Sequence, residues 1–500
     1  MNVGNGVQVA KKEIRLQYTG FVIFAAKLLS VGTGLIFQFM IARSTTGQEY
    51  DLWFNINDVL AYFTLLIGVL PFWVMRFVAR GKEGAAKTGL LANLTISITA
   101  TFLYVSLVSP IILALGIKGE YLSLYLVAAI QIVELYSISL FEACLQASVP
   151  QKIGYGLLLQ QFCKVILGYV LIIQLRQPLA GAVLSTTVAF GVQAAYYSKL
   201  LMEELKQKIR WNYVKEWLKG SLVNIYNVLG NQIATFIFIM LFAYGGVGGR
   251  GRYGAAAQIA NVISYSSFLA FALYPKLLED KKREDITTSM KTVLTFAIPM
   301  TAGAITLSDS YITLLRVEYP DAAIVLIVLA IDALILTVSG LYSAVLLGVE
   351  TVDENAKISF KELAKSRLFI AFSLPYLHSA ITIPMTYHVL TTYFIDQPLQ
   401  AALSVSVINT SARFVMFLIL YLIVRKMIRI DTPWISIAKY VFASAVMAII
   451  LFILPRPTRI SLTLAMTAVG GIIYLALLMA IDKEMRTLPR TIWREIETKF

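Results

Sequence analysis

Two long apolar runs joined by a short polar turn occupy residues 28–80, and they constrain the fold more than any other feature of the chain. The first run ends at Arg43 and the second ends near Arg76, with a turn around Gly47 between them. Each run approaches about twenty residues, the length that a helix needs to cross roughly 30 Å of hydrocarbon. Because lipid offers no hydrogen-bond partner to a backbone amide, each run is predicted to be helical throughout. The short turn makes the two helices antiparallel neighbours.

Twelve further apolar runs follow, and the composition of the chain is that of a membrane protein. The 500 residues are 58% hydrophobic and 14% charged, with a mean hydropathy of +0.73, whereas soluble domains carry about 25% charged residues. The sequence therefore predicts an all-α polytopic membrane protein of about fourteen transmembrane helices. The runs lie at residues 28–42, 52–75, 90–115, 122–147, 154–175, 179–197, 222–244, 255–274, 292–315, 322–347, 368–393, 399–424, 435–454 and 460–481.

Basic residues favour alternate connections between these runs. The segments at residues 76–87, 199–219 and 357–367 are rich in Lys and Arg, and the intervening turns carry few. Since cytoplasmic loops of membrane proteins carry the excess of positive charge, both termini are predicted to lie on the cytoplasmic side of the cell membrane. No cleavable signal is evident at the N-terminus, so the first helix is expected to remain. The net charge of +14 belongs to these loops, and no nucleic-acid partner is expected.

A faint internal repeat divides the chain. The second and eighth runs share a spaced pattern, with Tyr50, Asn55 and Pro71 matched by Tyr253, Gln258 and Pro275. Both copies begin on the same predicted side, which indicates parallel repeats about an axis along the membrane normal. The expected division is an N-terminal lobe of six spans (1–198), a basic cytoplasmic linker (199–220), a C-terminal lobe of six spans (221–424), and two appended spans with a cytoplasmic tail (425–500).

Three segments carry a resemblance to a known family. They are the first hairpin with Gly32, Gly34, Gln38, the Gly47-x-x-Tyr50 turn and Trp53; the stretch from Arg252-Tyr253-Gly254 through Gln258 to Tyr274-Pro275; and the stretch from Pro299 through Tyr319-Pro320 to Leu329-Ala330. In this order they resemble polysaccharide-type flippases of the multidrug/oligosaccharidyl-lipid/polysaccharide exporter superfamily.

The resemblance implies transport of a lipid-linked saccharide from the inner to the outer leaflet by alternating access between two lobes. It implies a cargo with a phosphate or pyrophosphate between lipid and sugar, contact with membrane lipid and with glycosyltransferases or a polymerase, and coupling to H⁺ or Na⁺ as an open question. No cofactor and no metal site are implied. Where the lipid II branch places an Arg-Asp pair on the first helix, this chain has Phe37-Gln38, so that branch's anion site is not carried over.

Ionisable residues inside the runs are the candidate site residues, because a charge in hydrocarbon is costly and usually faces a cavity or a partner. Lys164, Arg413 and Lys27 are the candidates for binding the substrate, with Lys164 and Arg413 gripping the phosphate from different lobes. Glu134, Asp332 and His378 are the candidates for ion coupling, because carboxylates and histidine can exchange protons. Further ionisable residues within the runs are Asp58, Glu142, Asp309 and His388.

Structural roles remain open for the same residues. Glu134 could pair with Lys164, and Asp332 with Arg413, as ion pairs without a transport role. The side chains of Lys27 and Asp58 could instead reach the membrane surface. Each alternative keeps a charge out of lipid without a substrate cavity.

Three other functional classes compete with a flippase. A multidrug or cation exporter of the same superfamily typically needs an acid on an early helix, and the first run has only Lys27. A membrane-embedded glycosyltransferase or polymerase usually has a long outer loop or an acidic motif at a helix end, and neither is seen; no catalytic residue is assigned. A purely structural membrane protein leaves the buried charges unexplained. Cys144 and Cys163 lie within predicted helices, where a disulfide or metal role is not expected.

Overall fold

The structure is a computed structural model, and it describes residues 16–270, 283–315, 318–349, 367–428, 430–457, 459–482 and 486. The described residues form helices and turns without a β-strand. The helices before the predicted linker and within it are α1 (Leu16–Ser44), α2 (Gly47–Phe63), α3 (Val69–Ala79), α4 (Ala85–Ala114), α5 (Leu122–Ala128), α6 (Ile130–Ser148), α7 (Gln151–Gly168), α8 (Pro178–Leu200) and α9 (Met202–Leu205).

The rest of the described chain is equally helical. Its helices are α10 (Asn212–Ala234), α11 (Phe236–Tyr244), α12 (Gly249–Ser264), α13 (Arg283–Thr306), α14 (Ser308–Leu315), α15 (Ala323–Val349), α16 (Arg367–Thr392), α17 (Pro398–Met427), α18 (Trp434–Ile453) and α19 (Ile460–Ile481). Following the division predicted from sequence, we call α1–α8 the first lobe and α10–α17 the second lobe.

Every apolar run predicted from the sequence contains a helix. Nine helices within the described ranges are long and apolar enough to cross a membrane, and the number is ten if α13 and α14, which meet at an angle of 78°, count as one span. In the remaining runs the helix is interrupted, is only partly described or, in the case of α16, is long but less apolar. The prediction of an all-α polytopic membrane protein is confirmed.

The second run departs from the prediction that each run is helical throughout. Residues 64–68 form a turn that separates α2 from α3. The hydroxyl of Tyr136 donates a hydrogen bond to the carbonyl oxygen of Phe63 at 3.3 Å, and that of Ser139 donates one to the carbonyl oxygen of Ile67 at 3.2 Å. A break is tolerated at membrane depth where other groups bind the freed backbone atoms, and here two side chains of α6 do so.

The two lobes meet at the end of the bundle that carries the turns at 45–46, 245–248 and 393–397, which we call the outer end because the sequence predicts it outside. The largest apolar core joins both lobes there and includes Trp53 and Ile56 of α2 beside Ala256 and Ala260 of α12. Helix α2 contains Tyr50 and Asn55 of the first copy of the sequence repeat, and α12 contains Tyr253 and Gln258 of the second; Pro71 lies in α3, and Pro275 lies outside the described residues. Helices α2 and α12 pack against each other. The repeat therefore marks the helices through which the lobes touch.

The opposite end of the bundle, with the turns at 80–84 and 201–211, we call the inner end. The first lobe has a separate apolar core here, and Trp217 of α10 lies fully buried in it. The rings of Phe77 and Trp217 pack edge to face with centroids 5.5 Å apart, and the indole nitrogen of Trp73 donates to Ser221 Oγ at 3.1 Å. Helix α10 thus begins against the first lobe before it continues into the second.

Candidate functional site

A polar cavity of about 430 Å³ lies between the lobes. It is lined by helices α1, α2, α6, α7 and α8 of the first lobe, by α12 of the second, and by Tyr265 just after α12. Thr64, at the break between α2 and α3, is among the lining residues. The polar groups that line the cavity are those of Ser30, Gln38, Asn57, Thr64, Gln131, Gln161, Lys164, Thr186, Gln258 and Tyr265.

Lys164 is the one charged residue among the described residues that line the polar cavity. Its ammonium lies 5.2 Å from the centre of the Phe37 ring, a cation–π contact. It forms no ion pair within the described parts of the chain, and the predicted alternative of a pair with Glu134 is not formed. A cation placed in this way is available to an anion that enters the cavity.

The amide side chains around Lys164 have unused hydrogen-bonding capacity. The oxygens Oε1 of Gln38 and Gln161 are buried and have no partner in the described structure. The amide of Gln131, by contrast, donates to Thr187 Oγ1 at 2.9 Å. Because a buried polar atom without a partner costs free energy, these oxygens are suited to accept bonds from hydroxyl groups of a ligand.

Arg413 lies in a different cavity. This second space of about 290 Å³, the arginine cavity, is lined by Arg413 and Arg250 and by Asp332, which pairs with Arg413. Gln258 lines both this cavity and the polar cavity, so the two are neighbours. Lys164 and Arg413, which the sequence analysis expected to grip one phosphate together, therefore occupy adjoining cavities, and the alternative pairing of Asp332 with Arg413 is present.

The other predicted site residues lie apart from the polar cavity lining. Glu134 is half-buried on α6, where its Oε2 has no hydrogen-bond partner among the described residues. His378 is buried on α16, near Asn409 of α17. It lies close enough to Arg413 to interact with it electrostatically. Lys27 falls within α1, but its side chain lies outside the described residues.

An ion pair at the outer end links the lobes, although the sequence did not predict it. Arg250 of α12 donates from Nε to Asp58 Oδ2 at 2.7 Å and from Nη2 to Asp58 Oδ1 at 2.9 Å. The side chains are 7% and 15% exposed. The guanidinium carbon lies 4.8 Å from the ring centre of Phe54 and 5.0 Å from that of Phe238. The signal in the sequence is the acid within the second run, Asp58, for which no partner is evident from the sequence alone.

Asp51 forms a second link between the lobes. Its carboxylate accepts hydrogen bonds from the backbone N–H of Gly248 at 2.5 Å and of Gly251 at 2.6 Å. These amides begin α12, so an acid of the first lobe caps a helix of the second and interacts favourably with its dipole. A Cβ at Gly251 would lie 2.8 Å from Asp51 Oδ1, so the close approach requires glycine.

An apolar cavity of about 420 Å³ adjoins the polar cavity. Leu35 and Val262 line both. Its other lining residues come mainly from α13, α14, α18 and α19, and Thr467 and the tyrosines 311 and 474 bring the polar atoms of its side chains. A molecule with a polar head and an apolar tail could therefore place each part in a cavity of matching polarity.

Possible metal ligands and cysteines are scattered in the described parts of the chain. Those parts contain no cluster of three or more His, Cys, Asp or Glu side chains that could hold a metal ion. Cys144 and Cys163 are free thiols.

Comparison of the structure with solved structures identifies its fold. The lipid II flippase MurJ in an inward closed conformation matches with a TM-score of 0.69 at 14% identity, covering 93% of this chain and 99% of MurJ. A multidrug resistance MATE family transporter of the MOP superfamily, in an inward-facing conformation, gives 0.59 at 14% identity over 82% of this chain and 98% of that one.

A MOP superfamily transporter from Pyrococcus furiosus, described as having a binding pocket of reverse polarity, gives a TM-score of 0.54 at 14% identity over 83% of this chain and 95% of that one. No family model matches the sequence, and no curated protein matches it. The likeness to these transporters extends over most of each chain, so this protein has the fold of the multidrug/oligosaccharidyl-lipid/polysaccharide (MOP) exporter superfamily.

Proposed function

We propose that the protein moves a lipid-linked oligosaccharide or polysaccharide precursor, joined through phosphate or pyrophosphate, across the cell membrane by alternating access. One observation carries the proposal. The polar cavity, in which Lys164 has no counter-charge among the described residues, shares two lining residues with an apolar cavity. Such a pair of spaces fits a cargo whose charged head and apolar tail move together.

The polar cavity has the chemistry for a sugar linked to phosphate. Lys164 can donate charge-assisted hydrogen bonds to phosphate oxygens. The amides of Gln38, Gln161 and Gln258 can exchange hydrogen bonds with sugar hydroxyls, and Trp53 adds an aromatic wall. Sites of this kind combine apolar and aromatic walls with a few polar groups that fix orientation.

The apolar cavity gives the lipid tail an environment like the bilayer. A hydrocarbon chain that moves from lipid into this cavity keeps apolar neighbours, so it gains or loses little free energy of hydration. The free-energy barrier to flipping comes instead from carrying the charged head through the membrane. The polar cavity lowers this barrier because its polar groups solvate the head. The division of labour between the two cavities thus follows from the polarity of their linings.

The fold supports transport, since the solved structures that it resembles are a lipid II flippase and multidrug transporters. In the proposed arrangement both termini lie on the cytoplasmic side. The inner end receives cargo made by glycosyltransferases, and the outer end releases it, where a polymerase can take it. Coupling to H⁺ or Na⁺ through Glu134, Asp332 or His378 is a further part of the proposal. It is supported by the carboxylate of Glu134, whose Oε2 has no hydrogen-bond partner among the described residues, and by the electrostatic interaction of Arg413 with Asp332 and His378.

A multidrug or cation exporter is the second candidate, and the likeness to the MATE transporter favours it. A cationic cargo needs carboxylates or an electron-rich aromatic cage at its binding site. Among the described residues that line the polar cavity there is no Asp or Glu, and the one charge is that of Lys164. An anionic head therefore suits this cavity better than a cationic one.

The test is transport in cells that depend on the protein. On depletion, the lipid-linked saccharide should accumulate in the inner leaflet, as measured by its loss of accessibility to an impermeant oxidant in intact cells. Lys164→Gln should give the same accumulation while the protein still inserts and folds. Lys152→Gln is the matched control, because Lys152 is on the same helix, outside the polar cavity lining, and contacts Tyr155.

Two results would overturn the proposal. The first is unchanged accessibility of every lipid-linked saccharide after depletion. The second is full transport by a well-expressed Lys164→Gln variant. Efflux of a cationic dye that depends on the protein, with no change in lipid-linked saccharides, would support the exporter instead.

A further inference from the structure

The arginine cavity holds two cations beside the polar cavity. Arg250 and Arg413 both line it, and they come from α12 and α17. Tyr253 lies among them, close enough to interact electrostatically with Arg250, Arg413 and their partners Asp58 and Asp332. Four charges are thus gathered around one space of about 290 Å³.

Each guanidinium keeps donors that its carboxylate does not use. Arg250 binds Asp58 through Nε and Nη2, which leaves Nη1 without a hydrogen bond to any described residue. Arg413 binds Asp332 through Nη1, which leaves Nε and Nη2 similarly available. A carboxylate has two oxygens and fills one guanidinium fork. A phosphate has more oxygens and can accept from two guanidinium groups at once.

The two carboxylates differ in what happens when the lobes separate. Asp332 belongs to the second lobe, as do both arginines, and it stays with them. Asp58 belongs to α2 of the first lobe, so opening of the outer end withdraws it from Arg250. Since Arg250 is only 7% exposed, its charge then needs either water or another anion.

We propose that Arg250 and Arg413 form a second oxyanion site, which takes the cargo's phosphate in exchange for Asp58. The inference rests on the proposed function and extends it. The phosphate is held first at Lys164 and then passes by Gln258, which lines both cavities, into the arginine cavity. Its arrival displaces Asp58 and thereby favours separation of the lobes at the outer end. Opening toward the outside is in this way coupled to the presence of a phosphate-bearing cargo.

The first experiment measures binding of dodecyl phosphate to the full chain in phosphatidylcholine nanodiscs, with dodecanol as the uncharged comparison. Asp58→Asn removes the competing carboxylate, so dodecyl phosphate should bind about tenfold more tightly than to the unaltered chain, as expected for a lost bond to a charged group. Adding Arg250→Gln to Asp58→Asn should abolish the gain. Binding of dodecanol should be the same in all variants.

Asp321→Asn is the matched control for this measurement. Asp321 pairs with Arg252 at 3.0 Å. Arg252 is two residues from Arg250 on α12, but neither Asp321 nor Arg252 lines the arginine cavity. Its affinity for dodecyl phosphate should equal that of the unaltered chain. The proposal is overturned if Asp58→Asn leaves the affinity unchanged or weaker, or if the gain survives Arg250→Gln.

A second measurement substitutes no residue of the arginine cavity, so it can be made even if the Asp58→Asn variant fails to fold. Spin labels at Glu120→Cys and Tyr393→Cys report the distance between the lobes, because both positions are exposed and lie at the outer end. The native thiols are removed by Cys144→Ser and Cys163→Ser. Dodecyl phosphate should lengthen this distance, and dodecanol should not. An unchanged distance at saturating dodecyl phosphate overturns the proposal.

These results are separable from the proposed function. If Lys164→Gln transports normally while Asp58→Asn gains affinity, the second site stands and the role of the polar cavity fails. If Lys164→Gln stops transport and neither measurement responds to dodecyl phosphate, the flippase proposal stands and the second site fails.

Discussion

Replacing Asp51 by asparagine should shift the equilibrium between the lobes toward an open outer end. In the structure the two carboxylate oxygens of Asp51 bind the amides of Gly248 and Gly251 at 2.5 and 2.6 Å, and Asp51 is 5% exposed. Asparagine keeps one acceptor oxygen and turns an NH₂ group toward the other amide, so two donors face each other. It also removes the negative charge from the N-terminus of α12.

The size of the effect follows from these contacts. Loss of a hydrogen bond to a charged group costs about 1.5–3 kcal/mol, and a buried amide left without an acceptor costs about 1–3 kcal/mol more. The closed arrangement should therefore lose about 3–5 kcal/mol relative to the open one. At about 1.4 kcal/mol for each tenfold change, the equilibrium moves by a factor of a hundred or more.

Spin labels at Glu120→Cys and Tyr393→Cys measure this shift, which should appear as a longer distance in the majority of molecules with Asp51→Asn. Glu49→Gln is the control, because Glu49 caps its own helix by accepting from the Thr46 amide at 2.8 Å and does not cross between the lobes. Its distance should match that of the unaltered chain. A folded Asp51→Asn protein with an unchanged distance distribution would refute the reasoning.

Two further expectations concern the same end of the molecule. Gly254→Ala should also lengthen the distance between the labels, since the added Cβ would lie 2.4 Å from ring carbons of Phe54 and must push the lobes apart. The control is Gly340→Ala, whose Cβ would have nothing within 4 Å, so the distance should not change. Val247→Cys, 69% exposed in the outer turn before α12, should react with an impermeant thiol reagent in intact cells, and reaction only after permeabilisation would contradict the predicted orientation.

The number and position of the helices could be predicted because membrane insertion depends on properties that lie along the chain. A run of about twenty apolar residues is long enough to cross the bilayer, whatever its neighbours are. The break between α2 and α3 was not predictable on the same grounds. It depends on the hydroxyls of Tyr136 and Ser139, which come from a helix more than sixty residues later in the sequence.

The candidate site was predictable only in part. A charge within a span must avoid lipid, and on that basis the sequence singled out Lys164 and Arg413. Which cavity each one lines, and whether it has a counter-charge, depends on which helix faces meet. The structure places Lys164 without an ion pair among the described residues and Arg413 beside Asp332. It also pairs Arg250, which lies in the short segment between the runs 222–244 and 255–274, with Asp58.

The sequence by itself determined that the chain is an all-α polytopic membrane protein, because length and hydropathy decide which segments can satisfy their backbone within lipid. It also marked the residues whose burial would need an explanation. Only the tertiary structure decided how those residues are shared between the cavities, and which acids of the first lobe hold α12 of the second. Contacts such as that of Asp51 with Gly248 join residues about two hundred positions apart, and local pattern contains no information about pairs so distant in the chain.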